Sequence, residues 1–305
     1  MNLAEYRASL QMAEQYRCSP GGIGYALSLH FLSKGYRVFA TVRSAQKLEI
    51  PAAKGIDVLE LDVTQPASIA AAKDIVRERT DGRLDVLVNN AGAWIESAAL
   101  DTDISAIKDM YDVNVFGPME MVRQFTPLLL PVKGTIVNIG SILGIIPYPF
   151  TSAYNASKAA LAQYSETLRL ELEPTGIKVV TVVTGQVRTN LVALPTLEET
   201  SIYKPLEPAL RDRAKAHIEN SMDSETYAVA LVNHVTASYP KPWLWKGTNS
   251  MVTWVVSTFA HKTAFDFLMK KMSGLGKAQR EILQRASETL DYMPFCHPNC
   301  ACPSG

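Results

Sequence analysis

Tyr154 and Lys158 lie four residues apart in the run Tyr-Asn-Ala-Ser-Lys. On a helix that spacing sets both side chains on one face. An ammonium beside a phenol favours the phenolate and lowers the phenol's pKa. The pair can therefore act as a general acid or base near neutral pH. Alone the match means little, because a chain with 12 Tyr meets it easily by chance. Other polar positions keep it company: Ser141 in Ile-Val-Asn-Ile-Gly-Ser-Ile, Asn114 in Asp-Val-Asn-Val-Phe-Gly, and the run Asn89-Asn90-Ala91-Gly92. Gly21-Gly22-Ile23-Gly24 stands before a helical pattern, where backbone can approach a pyrophosphate and a helix N-terminus favours the anion.

Residues this far apart need a scaffold that gathers them. From 37 to 183 the chain alternates short apolar runs with amphipathic stretches, as a parallel α/β sheet requires. Strands are expected at 37–42, 57–61, 84–89, 135–139 and 178–183, and helices near 25–33, 66–79, 104–130 and 152–173. Pro174 and Gly176 stop the last of these. The polar motifs then fall at the carboxyl ends of strands, where open α/β sheets bind ligands. The expected fold is a doubly wound parallel sheet of Rossmann type with a C-terminal helical extension. Its first strand is atypical. Residues 8–17 read as helix-prone and lack the β-branched run of a buried central strand.

The order and separations of these motifs, over about residues 18–190, resemble the short-chain dehydrogenase/reductase family. The resemblance implies an oxidoreductase that moves hydride between a nicotinamide cofactor and a carbonyl or alcohol. It makes Tyr154 the proton donor in reduction, with Lys158 supporting the phenol and holding the nicotinamide ribose. Ser141 would bind the same carbonyl in the manner of an oxyanion hole, and Asn114 would hold a water that links Lys158 to solvent. Ser19, Gly22, Ile23 and Gly24 match the pyrophosphate cradle, and Asp62 the residue that bonds the adenine amine. Asn89, Ala91 and Gly92 match the turn beneath the cofactor, and Val187 and Thr189 the segment at the nicotinamide amide.

Cofactor choice is read about 20 residues beyond the glycine loop. Val42 stands where an acid would hold a ribose 2′-hydroxyl, and Arg43 beside it offers a guanidinium to a 2′-phosphate. NADP(H) is therefore expected. Two departures stand out: Tyr16-Arg17 where family members carry Thr-Gly, and Thr184 where they carry Pro. Arginine replaces glycine poorly where backbone turns tightly. Two functions follow, an NADPH-dependent reductase of a hydrophobic carbonyl, or an impaired relative that serves as a binding or scaffold protein. Within the family, the glycine loop, Ala40-Thr41-Val42-Arg43 and the C-terminal extension look like fungal relatives of acyldihydroxyacetone-phosphate reductase.

Lys plus Arg number 30 against 30 Asp plus Glu, which leaves no electrostatic footprint for nucleic acid. Cys296, Cys300 and Cys302 match no common zinc spacing, so no metal site is expected and 286–305 reads as a disordered tail. Few cysteines and no signal peptide point to an intracellular protein, cytoplasmic or peripheral to the ER or lipid droplets. One domain is expected over 1–285, with a lid about 185–225 and hydrophobic helices about 243–285. Leu191, Val192, Leu194, Leu197, Ile202, Tyr203 and Leu206 in the lid suit a lipid-like or polyketide-like substrate. The apolar stretch from Trp243 to Phe259 is shorter than the ~18–20 residues that span a bilayer. Two readings stay open for it: a peripheral membrane contact, or a helix over the pocket or a subunit interface. The family resemblance also implies a homo-oligomer.

Overall fold

The apolar runs pair as a sheet buried on both faces. In the computed structural model, residues 8–12, 21–43, 55–189, 192 and 194–292 are described. Seven strands, β1 (Ala8–Met12), β2 (Arg37–Val42), β3 (Asp57–Glu60), β4 (Val86–Asn89), β5 (Thr135–Ile139), β6 (Lys178–Thr184) and β7 (Trp243–Lys246), lie in the order β3-β2-β1-β4-β5-β6-β7. Every pairing is parallel. Ten α-helices accompany them among the described residues: α1 (Ile23–Ser33), α2 (Pro66–Arg79), α3 (Ile104–Tyr111), α4 (Gly117–Leu129), α5 (Ser152–Leu172), α6 (Glu207–Glu219), α7 (Ser224–Val235), α8 (Ser250–Phe259), α9 (Asp266–Met272) and α10 (Gln279–Tyr292).

Side chains alternate across the sheet, as the period of a strand demands. Val38, Ala40, Val86, Val88, Val137, Val180 and Val182 pack under α1 and α7, against Leu27, Phe31, Tyr227 and Leu231. Phe39, Leu87, Ile136 and Val179 face the other way, onto Ile69 and Val76 of α2 and Met121 and Phe125 of α4. This is the doubly wound three-layer arrangement expected. Its chain order reverses beside β1, which places a ligand crevice at the carboxyl ends of β1 and β4.

The helix-prone reading of the N-terminal segment is overturned. Ala8–Met12 is the central strand, with Leu10 in register with Phe39 on one side and Leu87 on the other. Two flanking strands offer ladder partners on both edges, and that tertiary demand outweighs a weak intrinsic preference. Tyr16, Arg17 and Ser19 lie outside the described residues.

Three more boundaries differ. Trp243–Lys246 is the strand that ends the sheet rather than a helix, in keeping with the strand preference of tryptophan. The single helix expected over 104–130 is split by a π-helical turn at Asp112–Phe116. Helix α10 extends through Tyr292, so 286–292 is helical, while Cys296, Cys300 and Cys302 fall outside the described residues.

β7 is stitched to the end of β6 by close backbone. Gly185 N–H donates to Lys246 O at 2.8 Å, and Gln186 and Thr248 exchange bonds at 2.9 and 3.0 Å. A Cβ on Gly185 would strike Thr248 O and stand 2.9 Å from the Gly247 carbonyl carbon. Backbone cannot yield as a flexible side chain does. Gly185→Ala should therefore destabilise the protein by about 1–3 kcal/mol through overpacking, read as a lower denaturation midpoint. An unchanged midpoint would show that the crossing has slack.

Candidate active site

Each expected catalytic side chain is fixed by its own local device. Ser141 leaves β5 as the N-cap of a short 3-10 turn, its Oγ accepting from Leu143 N–H at 3.1 Å. That bond uses the oxygen as an acceptor and leaves the hydroxyl proton to be donated elsewhere. The turn can lie flat on α5 because residue 144 is glycine. A Cβ there would sit 2.9 Å from the Lys158 carbonyl carbon and 3.0 Å from Ala159 N. Gly144 thus brings Ser141 close to the helix that carries Tyr154 and Lys158.

On α5 the two side chains share one buried face, as their spacing requires. Lys158 Nζ donates to Ile139 O at 3.1 Å and lies 5.7 Å from the centre of the Tyr154 ring. Trp94 meets that ring edge-on, with centroids 4.5 Å apart. The turn before α5 is held just as firmly. Phe150 sits at φ 71°, a region that bulky residues rarely adopt. Its carbonyl accepts from Ser97 N–H at 2.8 Å, and its ring stands edge-on to Tyr203. Strain of this kind persists only where surrounding contacts over-determine it.

Asn114 sits in the π turn, a feature that often marks functional sites. Its Oδ1 accepts from Ala93 N–H at 2.8 Å, while Nδ2 donates to Ala93 O and Ser157 Oγ, both at 3.0 Å. The amide therefore braces the exit of β4 against α5, one residue from Lys158. Asn89 does related work within the sheet. Its Nδ2 donates to Asn138 Oδ1 at 2.7 Å, and Asn138 Nδ2 to Ser165 Oγ at 2.8 Å. A line of side chains so ties β4, β5 and α5.

Ser141, Tyr154 and Lys158 border a cavity of about 230 Å³ above the carboxyl ends of the strands, while Asn114 and Asn89 stand behind its lining. Ile23, Gly92, Ser141, Tyr154, Lys158, Val187 and Thr189, all expected at the site, line it. Gly22 caps α1, and Gly24 is buried in its first turn, which carries no acid. The Asn90 amide also lines the cavity, buried and with no partner among the described residues. Orphaned polar groups around a helix N-terminus suit a dinucleotide. Thr184, the departure from proline, bonds the Tyr227 hydroxyl at 2.7 Å and so ties β6 to α7. Arg43 and Asp62 come together at 3.5 Å. Asp62 Oδ1 meanwhile accepts from Thr64 N and Oγ1 at 2.9 and 2.8 Å. Ala91 is buried beside Gly92.

The lid differs from its expectation. Of its apolar residues Val192 lines the cavity. Leu197 and Leu206 are instead buried with Phe150 and Leu210 in a separate cluster, Tyr203 packs against them, and Leu191 lies outside the described residues. The apolar wall comes from Trp94, Ile142, Ile146, Phe265, Leu268, Met269 and Met272. Sequence reasoning missed this set, together with Glu96, Tyr148 and His217. Trp94 and Glu96 follow directly on the Asn89–Gly92 run, and that adjacency was the available signal. The remainder arrive from the segment between β5 and α5, from α6, and from α9 with the turn before it, with no pattern to announce them.

Residues 19–199 match the family model described as short chain dehydrogenase. The chain is 43% identical over 265 residues to the short-chain dehydrogenase virD of Hypocrea virens, spanning 86% of this chain and 92% of that one. It is 39% identical over 231 residues to the NADPH-dependent 1-acyldihydroxyacetone phosphate reductase of Schizosaccharomyces pombe, spanning 73% and 75%. The crystal structure of a short-chain dehydrogenase from Streptomyces avermitilis superposes with a TM-score of 0.71 at 27% identity, covering 90% of this chain and 98% of that one.

Within the cavity wall, burial first and the Arg213 charge second hold the His217 imidazole below its ordinary pKa. The folded protein thus keeps the ring neutral at a pH where the unfolded chain protonates it. The stability His217 contributes is complete above about pH 6.5 and is lost as pH falls below it. Between pH 7 and pH 5 the denaturation midpoint should drop, and His217→Gln should flatten that drop. Equal slopes for both proteins would assign the loss to other groups.

Proposed function

The chain belongs to the short-chain dehydrogenase family, and on that premise we propose that it is an NADPH-dependent oxidoreductase that reduces the carbonyl of a hydrophobic substrate. The observation that carries this reading is the convergence of Ser141, Tyr154 and Lys158 on one largely apolar cavity. Reduced nicotinamide supplies the hydride when bound. Ile23, Val187 and Thr189 line the cavity and would hold it, and Arg43 would bind the 2′-phosphate in exchange for its pairing with Asp62. The Schizosaccharomyces pombe relative named as NADPH-dependent supports that cofactor.

Tyr154 gives its phenolic proton to the carbonyl oxygen, and the Ser141 hydroxyl donates to the same oxygen as negative charge builds there. The Lys158 ammonium stabilises the phenolate left behind. Asn114 Oδ1 and Lys158 Nζ both lie 3.7 Å from the point where a Gly92 Cβ would be. A water held between them would return a proton from solvent. The scaffold reading rested on a lost first strand and on Tyr16-Arg17 in place of Thr-Gly; β1 inside the sheet removes the first ground, and residues 16 and 17 lie outside the described residues.

The reading extends to the place where substrate is met. No helix among the described residues is long and apolar enough to cross a membrane. Helix α8 nevertheless inverts the usual pattern, with Ser250 and Thr253 buried and Met251, Val252, Val255 and Phe259 exposed. Phe267 and Leu268 of α9 extend this face, beside exposed Lys270 and Lys271. Trp243 and Trp245 pack inward from β7 and have no part in it, which moves the contact expected from Trp243 to Phe259 toward α9. An apolar face beside lysines suits an anionic lipid surface, whereas a second copy related by two-fold symmetry would set like charges together. Val252, Leu268 and Met272 also line the cavity, so its mouth opens on this face.

Two experiments bear on these statements. Tyr154→Phe should cut NADPH oxidation by a hydrophobic ketone at least about a hundredfold with NADPH binding kept. Arg43→Ala should weaken NADPH about tenfold or more while sparing NADH. Turnover by the Phe variant near the original rate, or equal losses for the two cofactors, would sink the assignments. In the second, the protein should sediment with phosphatidylserine vesicles but less with phosphatidylcholine, and Phe259→Ser with Phe267→Ser should release it. A dimer in lipid-free solution that the same changes break would overturn the membrane contact.

A further inference from the structure

Glu96 and Arg213 form an ion pair at 2.8 Å with side chains only 7% and 3% exposed. Ions taken that far from water cost several kcal/mol each unless fully satisfied, and this pair is not. Arg213 Nη2 serves both Glu96 Oε1 and Pro149 O, while Nε and Nη1 are buried without partners. Among the described residues no donor reaches Glu96 Oε2. Glu96 itself lines the cavity, and Arg213 stands behind it. Two residues earlier, Trp94 also lines the cavity, with its Nε1–H buried and unpartnered. The same ring touches Tyr154. A carboxylate oxygen that no donor reaches therefore belongs to a residue bordering an apolar space beside the acid/base residue, while the indole N–H is closed off within the wall.

We propose that Glu96 Oε2 accepts a hydrogen bond from a hydroxyl group of the substrate, so that the substrate is an uncharged, apolar-bodied ketone carrying an alcohol or phenol. This rests on the reductase reading and narrows its substrate class. A hydroxyl has one proton to donate, which matches an acceptor that no protein donor reaches. A buried acceptor left without a partner penalises an analogue that lacks the proton, by more than a lost methyl would. Charge selects in the same direction. Lys158 is the one lysine or arginine among the described residues of the lining, and it stands at the catalytic end. His217 is held neutral by burial. A phosphate or carboxylate near Glu96 would meet the carboxylate before the guanidinium behind it, and the nearer charge dominates.

The test uses three 1-tetralones that carry a hydroxyl, methoxy or carboxylate group at position 6. Binding to the NADP+ complex is measured by calorimetry, and turnover by NADPH oxidation. The hydroxy compound should bind about tenfold or more tighter than the methyl ether, and the carboxylate weakest of the three. Glu96→Gln keeps the shape but removes the charge that shields Arg213, so the carboxylate should gain at least about tenfold relative to the hydroxy compound. Equal binding of all three by the unmodified protein overturns the subsite, whatever the variant does. So does a ratio that Glu96→Gln leaves within twofold. Binding in the expected order without turnover would instead remove the reductase reading and leave the subsite standing, and turnover without the order would do the reverse.

Discussion

One buried cation holds the substrate side of this protein together. The Arg213 guanidinium, supplied by α6, reaches Glu96 beyond β4 and the Pro149 carbonyl before α5, and stacks 4.2 Å from the centre of the Tyr148 ring. Removing one partner of such a pair leaves a charge stranded, at about 3–5 kcal/mol. Three segments distant in sequence are thereby obliged to meet at one point. The turn that launches α5 is among them, with Phe150 pinned in a left-handed conformation. The height at which Tyr154 enters the cavity is thus set partly by an arginine 59 positions later in the chain.

The cofactor side depends on a different constraint. A parallel sheet whose order reverses beside its central strand leaves a crevice at the strands' carboxyl ends. The residues proposed to face a dinucleotide are placed largely by strand termini: Gly22 after β1, Arg43 after β2, Asp62 after β3, Asn90 after β4, Val187 after β6. The Asn89–Asn138–Ser165 line locks β4, β5 and α5 in mutual register. Backbone geometry governs this half and side-chain electrostatics governs the other. They join at Lys158, which bonds the end of β5 while lining the shared cavity.

That division explains what could be read from sequence. Strands β2 to β6 and helix α2 fell where periodicity put them, because strands buried on both faces are written as apolar runs. Ser141, Tyr154 and Lys158 were legible because their spacing is a consequence of one strand, one turn and one helix. β1 was misread, since Ala-Ser-Leu-Gln-Met carries no strand signal of its own and is made a strand by its neighbours. β7 was misread for a related reason, as two tryptophans in an apolar stretch suit a helix or an edge strand alike. Leu197 and Leu206 of the lid were taken for pocket wall, yet they satisfy a local cluster. Composition tells that a residue will be buried but not against what.

The substrate end was the least legible part, and its physics says why. Its wall is assembled from residues of α6, α8 and α9 and of the segments after β4 and β5, each chosen by where rigid elements cross rather than by any local rule. A helix such as α8, with Ser250 and Thr253 inward and Met251 and Phe259 outward, even reverses the pattern from which burial is normally inferred. Such a reversal is costly in water, because exposed apolar area is stabilised only when something covers it. Buried charge near Tyr148 and exposed hydrophobe around Val252 both depart from the economy of an ordinary core, and both border the same cavity. Sequences that specify one fold depart from local consistency mainly where function requires it. On the proposed reductase reading, the two departures mark the ends of one substrate path, polar at its inner limit and apolar at its mouth.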